Sequence, residues 1–374
     1  MGEAYTPGLK VTEMTVLTKE RKLPLLGDVV VKKDQQVAAQ DVVARTELPG
    51  PVTPVNVANV LSCLPEDVPG LMKKKKEDKV EKGEVIASMK TFFGLFTSLC
   101  KAPTSGHIED ISATTGQVYI RGKSIPVELT AYIDGQVIDI FENEGVRIRT
   151  AGTFIQGIFG IGPEAHGVIR MVAQKADDVL TEAEINEDMK GQIIVGGKLA
   201  TFEAIQKAIA CQVKGLVVGG FNDKDLRNLL GYDLGVAITG KENKGITLVI
   251  TEGFGAIPMA DKTFGLLKDN EGKRASINGA TQIRAGVIRP EIIIPKTFTQ
   301  ESDTREAKGG GLEQGSLVRI IREPYFGSLG TAKEMPVKLR KMESETMVRT
   351  VIVTLKETGE DVMVPRANVE IIET

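Results

Sequence analysis

Residues 27–44 read GDVVVKKDQQVAAQDVVA, and residues 72–87 read MKKKKEDKVEKGEVIA. Each stretch gives an apolar strand, a charged turn, a valine, a small or polar turn and a second apolar strand. Aligning residues 32–34 with 76–78 puts Val37 on Val80 or Glu81, and residues 42–44 on residues 85–87. Two further stretches follow a related scheme, residues 105–122 (SGHIEDISATTGQVYIRG) and 134–152 (DGQVIDIFENEGVRIRTAG). In both, a glycine opens a strand with alternate apolar residues, a polar turn carries Gly116 or Gly145, and another alternating strand follows. Period-two alternation around glycine turns is the mark of short antiparallel strands. The chain is therefore expected to begin with a β-rich domain, over residues 1–165.

Residues 77–87 and the run APTSGHI at 102–108 together resemble the barrel-sandwich hybrid fold of biotinyl and lipoyl carrier domains. The likeness covers the fold more than the chemistry. Carrier domains present a lysine at a tight hairpin tip, and Lys90 is the residue the resemblance nominates as a cofactor-bearing position. Here Lys90 is followed by Thr91 and by Phe92, Phe93, Gly94, Leu95 and Phe96 where the carrier has a short return strand. A modifying ligase reads the tip, and this insertion alters it. An ordinary surface lysine is the competing reading. The run containing Phe92, Phe93 and Phe96 is a candidate partner contact if exposed; burial is the alternative. The four lysines at 73–76 are followed by Glu77, Asp78, Glu81 and Glu84, so a solvated turn is favoured over a phosphate site.

From about Gly167 the texture changes to a central α/β domain with a partly parallel sheet, assigned to residues 166–296. Residues 192–195 form a β-branched strand ending at Gly196 and Gly197. Residues 201–211 place Phe202, Ile205, Ala208 and Ile209 at helical spacing, and residues 214–218 form a second strand ending at Gly219 and Gly220. Strand, helix, strand at this spacing predicts a right-handed βαβ unit. A short helix capped by Asn222 or Asp223 should run to Leu230. Strands are expected at 235–238, 245–251, 283–288 and 291–294, and a helix over 258–267 with Pro258 in its first turn. Ligands of open α/β sheets bind beyond the strand ends, which makes Gly196, Gly197, Gly219, Gly220, Gly253 and Gly255 candidate ligand contacts. None belongs to a dinucleotide fingerprint or a phosphate-binding P-loop, and turn glycines are the competing reading. Asp223, Asp225, Asp233, Glu252 and Asp261 would hold a divalent ion only if they converged; helix caps and surface charge are the plainer account. No catalytic constellation is announced, and an enzyme is the less favoured class.

Residues 297–311, TFTQESDTREAKGGG, read as a flexible linker. Residues 315–332, GSLVRIIREPYFGSLGTA, then resemble the KOW motif of bacterial transcription elongation factors and ribosomal proteins. The resemblance implies an SH3-like β-barrel over 312–374. Five short alternating strands suit that length. Domains of this type contact RNA, ribosome, polymerase or protein, so Arg319, Arg322, Tyr325 and Phe326 are candidate partner-binding residues. Residues 312–374 hold nine Lys/Arg and ten Asp/Glu, a local net charge near −1. Phosphate contacts supply most nucleic-acid affinity, so this balance favours a protein partner or intramolecular docking over RNA, unless Arg319, Arg322, Lys338, Arg340 and Lys341 gather on one face.

The totals agree with several folded domains in 374 residues, of formal net charge −3. At roughly 150 residues per domain, two or three domains are expected. Three separate cysteines, Cys63, Cys100 and Cys211, do not form a disulfide framework and point to a reducing, cytoplasmic setting. With two distant histidines, His107 and His166, no metal site is expected, nor is a bound cofactor or a membrane span. The fold class is multidomain α+β: an N-terminal barrel-sandwich hybrid, a central α/β domain and a C-terminal barrel. The function expected is a noncatalytic scaffold or assembly subunit binding protein partners. The alternatives are a nucleic-acid- or ribosome-associated factor and an accessory protein of a cofactor-carrying enzyme complex.

Overall fold

The computed structural model describes residues 9–91, 96–231, 242–281, 288–296, 312, 314–320, 324–325, 327–336, 340–341 and 347–373. The chain is mostly β, with several sheets and short helices.

The N-terminal pattern is a duplication, and one copy is nested inside the other. In the outer copy, Leu9–Lys22, Gly145–Gln156, Gly135–Phe141 and Gln36–Val37 pair in that order. In the inner copy, Val52–Asn56, Gln117–Arg121, Gly106–Ile111 and Lys79–Val80 pair in the same order. A second layer matches too: Val42–Leu48 pairs with Ile125–Thr130 in the outer copy, and Val85–Thr91 with Phe96–Lys101 in the inner.

The two copies repeat their turns bond for bond. The Asp34 amide donates to the Val137 carbonyl and the Glu77 amide to the Ile108 carbonyl, both at 2.7 Å. Both donors have a left-handed backbone, φ 66 and φ 72. Asp41 accepts the Ala38 amide through its carboxylate, as Glu84 accepts that of Glu81. The Ala131 amide donates to the Asp41 carbonyl, and the Ala102 amide to that of Glu84. Asp34 therefore matches Glu77, and the alignment of residues 32–34 with 76–78 is one position out. Val37 falls on Val80, one of the two placements the sequence allowed. Each copy buries its own core, Val37, Val43, Ile133 and Val137 in the outer and Val80, Ile86, Ile108 and Val118 in the inner.

In the centre, Ala165–Met171, Ile193–Val195, Gly215–Phe221 and Thr247–Phe254 run parallel in that spatial order. The helix Phe202–Ala210 connects the second to the third, and Asp223–Leu230 follows the third. Alternate strand residues face opposite ways. Leu216, Val218, Leu248 and Ile250 pack on the side of those two helices, and Val217 and Val249 on the side of the helix Asp261–Asp269. Both faces are covered, which is why the strands read as continuous apolar runs. Antiparallel strands complete this sheet: Arg274–Asn278 pairs with Ala165–Met171, Glu291–Pro295 with Arg274–Asn278, and Phe159–Ile161 with Thr247–Phe254. Glu291–Pro295 also pairs with Gly145–Gln156, so strand pairing runs from the outer copy into the central sheet.

The helix expected over 258–267 starts later, at Asp261. Residues 255–259 instead cross the sheet, where the Met259 amide reaches the Ala176 carbonyl, and the Ala260 amide is held by Glu252. The strand expected at 235–238 lies outside the described residues, as does nearly all of that expected at 283–288.

In the C-terminal part, five antiparallel strands pair in the order Asp361–Pro365, Thr350–Leu355, Leu329–Glu334, Leu317–Ile320 and Val369–Glu373. They enclose Val318, Ile320, Ala332, Val351 and Val353. Among the described residues no pairing joins the two outermost strands, so closure of the expected barrel is not seen there. Its Val369–Glu373 edge is occupied by the N-terminal strand, with Leu9 opposite Ile372 and Lys10 opposite Glu373 in parallel pairing.

Candidate functional site

Gly197, Gly219 and Gly220 are close-packing positions. Gly219 and Gly220 lie inside the strand Gly215–Phe221 and are buried. A Cβ on Gly219 would lie 2.3 Å from the Ile257 carbonyl oxygen, and one on Gly220 would lie 2.0 Å from that of Gly255. The segment that follows Thr247–Phe254 occupies the space where a ligand would sit. Gly253 pairs with Gly220, and Gly255 takes φ 102 as the chain turns back. Gly197 is likewise covered, its Cβ position 2.4 Å from the Asp178 carbonyl oxygen, while the Gly196 amide donates to Val217.

Among the described residues the nominated carboxylates do not come together. Asp223 pairs with Arg227 one turn along its helix, Asp225 accepts from Asn222, and Asp261 is exposed with Lys356 at 3.5 Å. Asp233 lies outside the described residues. Among the described residues, no three His, Cys, Asp or Glu side chains form a group able to hold a metal.

Glu252 is the exception, and Arg319 meets it. Both side chains are 3% exposed, and Arg319 Nη2 forms a short ion pair with Glu252 Oε2. Arg319 Nη1 donates to the Thr251 carbonyl at 3.2 Å, and Glu252 Oε1 accepts the Ala260 amide at 3.0 Å. Arg319 Nε–H is buried without an acceptor. Burial pulls the guanidinium down to about 10, so it remains a cation at neutral pH. This pair joins the C-terminal sheet to the end of the central strand Thr247–Phe254. Beside it opens a small cleft of about 80 Å³ whose walls include Leu9, Val11, Leu317, Leu329 and the first turn of the helix Asp261–Asp269.

Tyr325 is half-buried and packs on the C-terminal core. Arg322, Phe326 and Lys338 lie outside the described residues, while Arg340–Lys341 pairs with Met347–Val348. Lys90 is exposed near the end of Val85–Thr91, opposite Thr97. Phe92 and Phe93 lie outside the described residues, and Phe96 begins the return strand. In the lysine run, Lys74 pairs with Glu84 at 2.6 Å and Lys76 with Asp110 at 3.7 Å.

Sequence reasoning missed a second polar cluster, at the seam between the outer copy and the central sheet. Lys19 Nζ lies 2.6 Å from Glu291, and the Tyr132 hydroxyl donates to the same carboxylate at 3.1 Å. Arg21 stacks over the Tyr132 ring and pairs with Glu164. Burial, then the Glu291 charge, holds the Tyr132 phenol well above its ordinary value. Tyr132 has φ 71, an unusual backbone for a bulky residue, and no local pattern in the sequence marks it. No protein-family model matches the chain, and no curated protein matches its sequence.

Proposed function

We propose that the chain is a noncatalytic scaffold or assembly subunit that binds a protein partner through its β units. The observation that carries this reading is three exposed apolar side chains on the inner copy. The helix Val57–Leu61 packs against the strand Phe96–Lys101. Val60 on the helix, Leu64 just after it and Leu99 on the strand are 51%, 61% and 44% exposed. Single exposed apolar residues are common on monomers; three on neighbouring segments of one small unit suit a contact surface. The inner copy leaves and re-enters the outer copy at the paired residues Leu48 and Ile125, which suits a presented module.

The bond-for-bond duplication supports reading both copies as barrel-sandwich hybrids, and the five-stranded C-terminal sheet supports its reading as a KOW-type, SH3-like module. Arg319 is engaged with Glu252 inside the chain, which supports docking of that module within the molecule over RNA binding. Three free cysteines among the described residues support a cytoplasmic setting. Cross-linking of the full chain in its native lysate, read by mass spectrometry, tests the proposal. Partner peptides should map to residues 52–101 and disappear in the double variant Val60→Glu, Leu99→Glu. Retention of the same cross-links in that variant would defeat the assignment.

A second reading has one observation in its favour. Lys90 is exposed near the end of the strand Val85–Thr91, a position that an acylated lysine of a cofactor-carrying complex could take. Intact-mass measurement of native protein decides it: an unmodified mass removes it.

A further inference from the structure

The nested copies compare one face of the same hairpin within a single chain. Along Phe96–Lys101, Thr97, Leu99 and Lys101 are exposed, while Ser98 is half-buried and Cys100 buried. Alternate strand residues share a face. Lys90 stands opposite Thr97 and Ser88 opposite Leu99, so their side chains lie on that outward face too.

The shared turns carry Asp41 onto Glu84 and Ala131 onto Ala102. Counted from them, Lys90 takes the place of Glu47, Leu99 that of Glu128 and Lys101 that of Thr130. Glu47 and Glu128 are exposed as well. The outer copy therefore shows two acids where the inner copy shows a lysine and a leucine. The same frame accepts either set, so the hairpin fold does not demand Lys90 or Leu99.

The two cations are open to a ligand. Neither the Lys90 nor the Lys101 ammonium has an ion pair or hydrogen bond among the described residues. Lys74 and Lys76, by contrast, are paired with Glu84 and Asp110. Lys101 lies four residues along the strand from Thr97, the residue facing Lys90. At about 3.3 Å per residue the cations are about 13 Å apart along the strand, with Leu99 midway. Two cations astride a leucine are complementary to two anions astride an apolar group. An extended segment Glu-x-Leu-x-Glu has that spacing, because its carboxylates also stand four residues apart on one side. A phosphate chain is a poorer match, since its affinity grows with the number of phosphates neutralised.

We propose that the partner presents an extended acidic segment of the form Glu-x-Leu-x-Glu, docked on Lys90, Leu99 and Lys101 of the inner hairpin. This names the partner chemistry of the surface proposed above and rests on that reading.

The probe is a fluorescein-labelled peptide, Ser-Glu-Ser-Leu-Ser-Glu-Ser, titrated with the full-length chain and read by anisotropy. It should bind saturably with Kd below about 1 mM, and the peptide with lysine in place of both glutamates at least about tenfold more weakly. The triple variant Lys90→Glu, Leu99→Glu, Lys101→Thr gives the inner hairpin the outer copy's residues. It should keep the wild-type unfolding temperature within a few degrees and lose at least about tenfold in peptide affinity. No saturable binding at that concentration, equal binding of the lysine peptide, or full affinity in the folded triple variant would each overturn the assignment. So would a single-stranded ten-nucleotide oligothymidylate that binds the wild type as tightly as the acidic peptide and is lost in the variant. Cross-links from residues 52–101 to a partner segment without acidic residues would sink this assignment and leave the partner-binding reading standing.

Discussion

Removing one member of the Arg319–Glu252 pair should be the most damaging charge deletion available in the described part of the chain. Both side chains are 3% exposed, so neither charge has water to fall back on. Replacing Arg319 with Met leaves the Glu252 carboxylate buried with a single donor, the Ala260 amide, and leaves the Thr251 carbonyl without its side-chain donor. Breaking a buried pair from one side costs about 3–5 kcal/mol. Glu252→Met strands the guanidinium with the Thr251 carbonyl as its one remaining partner, and should cost nearly as much. In the double variant Arg319→Met, Glu252→Met, no charge is stranded. What remains is the unpaired Ala260 amide and Thr251 carbonyl, about 1–3 kcal/mol each. The double variant should therefore be more stable than the sum of the singles implies by at least about 2 kcal/mol. Urea unfolding of the four proteins measures this cycle. Hydrogen exchange locates the effect, since residues 317–320 should lose protection in the single variants before the central sheet does. Additive costs, or a single-variant cost below about 1 kcal/mol, would refute the reasoning that this pair is desolvated and mutually dependent.

Gly220→Ala should destabilise the central sheet by about 1–3 kcal/mol, because its Cβ would press on backbone and not on a flexible side chain; a neutral thermal shift would contradict the packing described. The Tyr132 phenol keeps its proton in the folded chain above the pH where an unfolded tyrosine ionises. The stability it contributes is full below that value and lost as pH rises toward the folded pKa. Urea midpoints should therefore fall between about pH 9 and 11 in the wild type, and fall less steeply in Tyr132→Phe. Glu84 has the opposite sign: Lys74 and the Glu81 amide hold its carboxyl below the ordinary range, so its contribution is present above the unfolded pKa and lost on acidification. Glu84→Gln should flatten the acid limb of stability against pH, and an unchanged limb would count against the Lys74 contact.

The sequence was most readable where local rules and tertiary packing agree. The βαβ unit around Phe202–Ala210 follows from helical spacing between two β-branched runs, and its Thr201 cap is formed, accepting the Ala204 amide. The repeat was visible because charged turns and valines recur. Its register slipped by one because four consecutive lysines give no landmark; the landmark is the left-handed residue, Asp34 or Glu77, which no composition rule reveals. Nesting was harder still. Val42–Leu48 finds its partner beyond the whole inner copy, and nothing local says that a strand waits that long. Arg319 read as a surface cation because alternation along Leu317–Ile320 fails there. Residues 318, 319 and 320 are all buried, since the C-terminal sheet also lies against the central strand Thr247–Phe254. Glu252 read as a strand-end acid for the same reason, as its partner is supplied by a remote part of the chain.

The nested arrangement fixes an order of events during synthesis. When Leu48 leaves the ribosome, half of the outer copy has been made and its pairing mates have not. The inner copy, whose own strands are all encoded between, is complete first. Its chain ends emerge side by side, with the Gly122 amide bonded to the Pro51 carbonyl, so the finished inner copy brings residues 48 and 125 within reach of one another. The long closure that the outer copy would otherwise face becomes a short one. The inner copy then acts as the splint on which the outer is assembled. Deleting residues 49–124 and joining the two edges by a tight turn would shorten that wait rather than lengthen it.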